Sequence, residues 1–142
     1  MMVLFVCHAN LNRSPRAAEV FRFIANEKKL DVEIMSAGTQ AFPIFNSENS
    51  KKAFGVEKTT QLTNEMLEKA DYVVSMDNDV SQEIKEDFQI VPQKMITLGI
   101  EDNFSLRKNN LHNLYGILDQ KLRPLAEEVS LSQRKRPNKE IL

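Results

Sequence analysis

Four times along this chain a short apolar run gives way to a segment whose apolar residues recur every three or four positions. Such alternation predicts a parallel β-sheet with helices on both faces, because each parallel strand is reached only by crossing over one face of the sheet. Val3-Leu4-Phe5-Val6 is continuous, branched and aromatic, as a strand buried on both faces requires. Cys7 to Asn12 break the pattern. Ser14 and Pro15 then predict a helix start, the serine as N-cap and the proline in the first turn. Ala17, Ala18, Phe21 and Ile24 or Ala25 supply the apolar face of that helix.

A second strand is predicted over residues 32–35, ended by a turn at Ser36-Ala37-Gly38-Thr39. Residues 40–60 are the least regular, with a short helix expected over 49–54. Thr63 is placed to cap a helix carrying Met66 and Leu67, and residues 72–76 form the third strand. Val80, Ile84 and Phe88 share one side of a further helix, and residues 94–98 form the fourth strand. Leu111, Leu114, Leu118, Leu122 and Leu125 mark a long amphipathic helix, which Pro124 should end or kink.

At 142 residues the chain is expected to form one compact domain over 1–129, followed by a basic tail over 130–142 that frays in solvent. Its 19 Lys and Arg against 20 Asp and Glu argue against broad affinity for nucleic acid or anionic membrane. The apolar start lacks a basic leader, so a signal peptide is not expected. A single cysteine forms no intrachain disulfide and no Cys-based zinc site, which suits a cytoplasmic protein with a free thiol. His8 and His112 are the only histidines, and neither supports a metal site.

The chemistry is concentrated in Cys7-His8-Ala9-Asn10-Leu11-Asn12-Arg13-Ser14-Pro15. A loop this short between a buried strand and a helix turns successive backbone N–H groups inward, and the helix adds unpaired donors and the positive end of its dipole. That is a cradle for a dianion such as phosphate. Arg13 offers a planar fork to two phosphate oxygens, and Cys7 lies where the phosphorus would sit above it. The positive field that holds an anion also favours thiolate over thiol, so the same loop makes the nucleophile. Ser14 can donate to that sulfur. The side chain of His8 is expected to point away from the phosphate.

These residues resemble the low-molecular-weight protein tyrosine phosphatases. Cys7 to Pro15 carries the resemblance, supported in order by Ser36-Ala37-Gly38-Thr39, Leu62-Thr63, Ala70 to Asp77 and Ile100-Glu101-Asp102. The resemblance implies an α/β three-layer sandwich of flavodoxin-like topology, with a four-stranded parallel sheet flanked by helices. It implies hydrolysis of phosphotyrosine or aryl phosphate monoesters through a cysteinyl-phosphate, with inorganic phosphate as product and no metal or organic cofactor. Carried over, Cys7 is the nucleophile and Arg13 the phosphate clamp. Residues His8, Ala9, Asn10, Leu11, Asn12, Arg13 and Ser14 line the phosphate, and Asn10, Ser14 and Ser36 support the loop. The general acid must be a carboxyl group above the phosphate. Asp102, after the fourth strand and at the same end of the sheet as Cys7, is the choice, with Glu101 and Asp77 as fallbacks.

The chain departs from that family pattern in places. Asp102 is followed by Asn103 and Phe104 where Asp-Pro is frequent, and Asn12 stands where many members carry a second cysteine. No histidine matches the one that often supports the loop asparagine; Glu57 or Lys58 occupies that region. Phe42 and Phe45 are candidates for stacking on a substrate ring. Arsenate reduction is disfavoured because it needs further cysteines. A catalytically weak phosphate-binding or regulatory module and a phosphoserine phosphatase of related fold are the alternatives.

Overall fold

The computed structural model describes residues 1–11, 13–41, 58–100 and 110–135. Its strands are β1 (Met2–Cys7), β2 (Glu33–Gly38), β3 (Tyr72–Ser75) and β4 (Met95–Thr97). Its helices are α1 (Arg13–Glu27), α2 (Asn64–Lys69), α3 (Asn78–Asp87) and α4 (Asn110–Lys135). The four strands form one parallel sheet in the order β2-β1-β3-β4. This is the predicted α/β sandwich.

The apolar run at the start becomes a central strand buried along its whole length. Its side chains alternate between the two faces, as the pleat demands. Val3, Phe5 and Cys7 pack with Ala17, Ala18, Phe21 and Ile24 of α1 and with Leu114, Leu118 and Leu122 of α4. Met2, Leu4 and Val6 pack with Leu67 of α2 and Val80 and Ile84 of α3. Phe5 and Phe21 meet at a tilt with ring centroids 5.6 Å apart. No helix among the described residues is long and apolar enough to cross a membrane.

Several local expectations are corrected. Ser14 is the second residue of α1, not its cap, because its hydroxyl is drawn to Cys7, Asn10 and Ala37. The second strand begins later and runs on through Ser36, Ala37 and Gly38, which were expected to turn. Their pairing with Phe5, Val6 and Cys7 satisfies backbone groups that a turn would leave without partners. Thr63 caps α2 as expected, accepting from the Met66 N–H at 3.2 Å, whereas Phe88 closes α3 from the C-cap position.

The long helix passes through Pro124 and reaches Lys135, so the expected tail boundary at 130 falls inside it. The reason is packing: Leu125, Ala126 and Val129 continue the buried stripe beyond the proline. The short helix expected over 49–54 lies outside the described residues.

Candidate active site

In an open parallel sheet, ligands bind where the strands end. Cys7 is the last residue of β1 and pairs in register with Gly38, the last of β2. The chain then passes through His8, Ala9, Asn10 and Leu11 into α1 at Arg13. Cys7 is 2% exposed. Its Sγ lies 3.0 Å from Ser14 Oγ and accepts from the Asn10 backbone N–H at 3.2 Å. The sulfur thus faces a backbone N–H and a hydroxyl at the mouth of a helix.

Asn10 is the pin of the loop. It holds a left-handed backbone, φ 58°, which asparagine tolerates better than most residues. Its Nδ2 donates to Ser14 Oγ at 2.9 Å and to Ser36 Oγ at 3.1 Å, and its Oδ1 accepts from the Thr60 N–H at 2.8 Å. With that amide donating to it, the Ser14 hydroxyl has one hydrogen to direct at Cys7 Sγ or at Ala37 O, 3.3 Å away. Asn10, Ser14 and Ser36 are therefore brought together. Glu57 lies outside the described residues and Lys58 is exposed, while a backbone N–H at Thr60 holds Asn10.

Gly38 was read only as part of a turn, yet it permits the loop to exist. A Cβ there would sit 2.6 Å from His8 O and 2.9 Å from Asn10 N. Both neighbours are backbone, so the loop itself would have to shift.

Arg13 is buried at the foot of α1, its side chain 3% exposed. Its Nη1 donates to Asp77 Oδ2 at 2.6 Å and to Ile100 O at 2.8 Å. Asp77 is the N-cap of α3, its Oδ1 accepting from the Val80 N–H at 2.8 Å. Both oxygens of Asp77 are thus engaged, one aligning Arg13 and one capping a helix. That geometry is unsuited to the general acid for which it was a fallback. Beneath it, Ser75, Ser81 and Thr97 share a hydroxyl cluster, and Ser81 Oγ donates to Asp77 O at 3.2 Å.

The structure brings together Cys7, His8, Ala9, Asn10, Leu11, Arg13, Ser14 and Ser36. Asn12, Asp102, Glu101, Phe42, Phe45 and Phe104 lie outside the described residues, as do the surroundings of the His112 side chain. Among the described residues no cluster of three or more His, Cys, Asp or Glu forms a metal site.

A sheet with its nucleophile candidate at the end of a central strand, followed by an arginine at a helix mouth, defines a phosphate-handling α/β protein. The family model described as low molecular weight phosphotyrosine protein phosphatase matches residues 2–135. The chain belongs to that family. It is 33% identical over 105 residues to a protein-arginine-phosphatase of Bacillus subtilis (strain 168), covering 69% of this chain and 70% of that one. Among solved structures it is similar to the YwlE arginine phosphatase in a variant with a phosphorylated active-site serine, with TM-score 0.80 and 27% identity over 94% of this chain and 99% of the other. It is also similar to a low molecular weight protein tyrosine phosphatase from Bacillus subtilis in solution. There the TM-score is 0.72, at 27% identity over 94% of this chain and 99% of the other.

Proposed function

We propose that this chain removes phosphate from phosphorylated protein side chains, with phosphotyrosine as substrate and aryl phosphates as surrogates. The observation that carries the reading is the Cys7 sulfur, 3.0 Å from Ser14 Oγ and 3.2 Å from the Asn10 N–H, at the mouth of α1. Thiolate attack on phosphorus forms an S–P bond and breaks the bond to the leaving group, which takes a proton from a carboxylic acid, assigned to Asp102. Water, deprotonated by the same carboxylate, then breaks the S–P bond. Inorganic phosphate leaves, and the Ser14 hydroxyl donates to the returning thiolate. Arg13 and the backbone donors of residues 8–14 neutralise the equatorial oxygens throughout. A lone thiol with this duty suits the cytoplasm, where it stays reduced.

Phosphoarginine is the second substrate reading, favoured by the relative named as a protein-arginine-phosphatase. In that case a P–N bond breaks, and the acid protonates a guanidinium nitrogen. The test is phosphate release from matched phosphotyrosine, phosphoarginine and phosphoserine peptides by wild type, Cys7→Ser and Asp102→Ala. Release from phosphotyrosine that Cys7→Ser abolishes is expected. Full activity in Cys7→Ser would overturn the mechanism, and exclusive release from phosphoarginine would transfer the assignment. Failure of wild type on all three would leave the phosphate-binding module.

A further inference from the structure

Helix α3 reaches the phosphate loop at two places. At its N-cap, Asp77 holds Arg13, the last residue of the loop. Further along the same helix Glu83 meets His8, the first residue after the nucleophile, with Nδ1 3.1 Å from both Oε1 and Oε2. Thr39 Oγ1 donates to Glu83 Oε2 at 2.6 Å. One carboxylate from α3 therefore ties together the loop and the end of β2.

The backbone adds to that grip, since the Thr39 N–H donates to Cys7 O at 3.0 Å and the Gln40 N–H to His8 O at 2.9 Å. The first peptide units of the loop are fixed by main chain from one side and by Glu83 from the other. None of this belongs to the Asn10, Ser14 and Ser36 set.

We propose that Glu83 and His8 are a positioning pair for the phosphate loop, so that α3 clamps both of its ends. The proposal rests on the reading of the loop as the phosphate site. An ionised carboxylate only accepts, so the hydrogen between the two side chains sits on His8 Nδ1. Neutral His8 is then the Nδ1–H tautomer, with Nε2 making no hydrogen bond among the described residues. By holding the side chain, Glu83 sets the direction of the His8 backbone N–H, the first donor the loop offers. The side chains are 45% and 24% exposed, which limits the strength of the tie.

The loop donors hold phosphate in the ground state and the transition state alike. Loss of the pair therefore raises KM more than it lowers kcat.

Inorganic phosphate binding to the intact chain, followed through the backbone amide resonances of residues 8–11, tests the idea alongside KM and kcat for 4-nitrophenyl phosphate. Glu83→Ala and His8→Ala are each expected to weaken phosphate about threefold to tenfold, the range for a partly exposed hydrogen bond to a charge. The double variant should be no weaker than the singles, because they break one interaction. His8→Asn puts an amide N–H where Nδ1 stood and should recover the larger part of the loss; His8→Gln places its amide too far out and should not. The imidazole nitrogen resonances should report the Nδ1–H tautomer in wild type and lose that signature in Glu83→Ala.

Unchanged phosphate affinity in both alanine variants would overturn the pair, as would rescue by glutamine equal to that by asparagine, or an Nε2–H tautomer in wild type. Wild type that binds phosphate in the loop yet hydrolyses no phosphoester overturns the catalytic reading alone. Absence of phosphate binding by the wild-type loop overturns both.

Discussion

Arg13 Nη1 and Asp77 Oδ2 lie 2.6 Å apart, joining the foot of α1 to the cap of α3 around a guanidinium that solvent barely reaches. A buried cation deprived of its counter-ion is costly, about 3–5 kcal/mol where one partner of a buried pair is removed. Asp77→Ala also strips the α3 cap, worth about 1 kcal/mol. Asp77→Ala should therefore lose at least about 3 kcal/mol in urea unfolding. Asp77→Asn, which still caps, should lose less. A loss below about 1 kcal/mol in the alanine variant would mean that the remaining partners of Arg13, the Ile100 carbonyl among them, satisfy it.

Gly38→Ala should separate folding from phosphate binding. The new methyl meets the His8 and Asn10 backbone, not a side chain that can swing aside. Overpacking of this kind costs about 1–3 kcal/mol, which a folded sheet can absorb by displacing the loop. The expected outcome is a cooperatively folded variant that no longer binds inorganic phosphate by calorimetry. Phosphate affinity equal to wild type would refute the close approach.

Pro124 is an exposed residue in the interior of α4. Proline there costs up to about 3 kcal/mol relative to alanine, part of which is offset because proline also restrains the unfolded chain. Pro124→Ala should raise the urea midpoint without altering substrate turnover. A lowered midpoint would mean that the ring is a packing element.

At the outer seam of α1 and α4, Lys28 Nζ donates to Glu127 Oε1 at 2.7 Å. That hydrogen bond, followed by the charge of Lys28 itself, holds the Glu127 carboxyl below its usual range. The folded state thus binds this proton less readily than the unfolded chain. Its contribution to stability is present above the ordinary carboxylate range and is lost as pH falls through the lowered value. Glu127→Gln should be slightly less stable than wild type near neutrality, and the gap should close in acid and shrink in high salt. A gap that persists unchanged into acid would rule out the ion pair as its source.

The fold was legible because β1 and the helix faces are written in contiguous residues: Val3 to Val6, then Ala17, Ala18, Phe21 and Ile24, occupy the core as their spacing demands. Boundaries were less so. Ser36 to Gly38 has turn-like composition, yet its pairing with β1 is a long-range fact that no local pattern records. Pro124 is expected to end or kink the helix because its own cost is local, whereas the burial of Leu125, Ala126 and Val129 that carries the helix past it is tertiary.

At the site, the Cys7 to Arg13 spacing announced the loop, and Asn10, Ser14 and Ser36 meet as the resemblance implied. The partners that escaped notice act through features without a side-chain signature. Thr60 supplies a backbone N–H, and Gly38 supplies the absence of a Cβ. Glu83 escaped for a different reason: a single glutamate on an amphipathic helix looks like any solvated charge until its neighbour is known.

The sequence distances within this site bear on how the protein comes into being. Asn10 is fastened to residues 26 and 50 positions further on, His8 to one 75 further on, and Arg13 to one 87 further on. In synthesis from the N-terminal side, Cys7 emerges before any of those partners exist. Until residues 77–100 have emerged, Arg13 lacks both Asp77 and the Ile100 carbonyl. A truncated product ending before residue 77 would therefore carry the complete loop sequence yet have neither Asp77 nor Ile100 to hold Arg13.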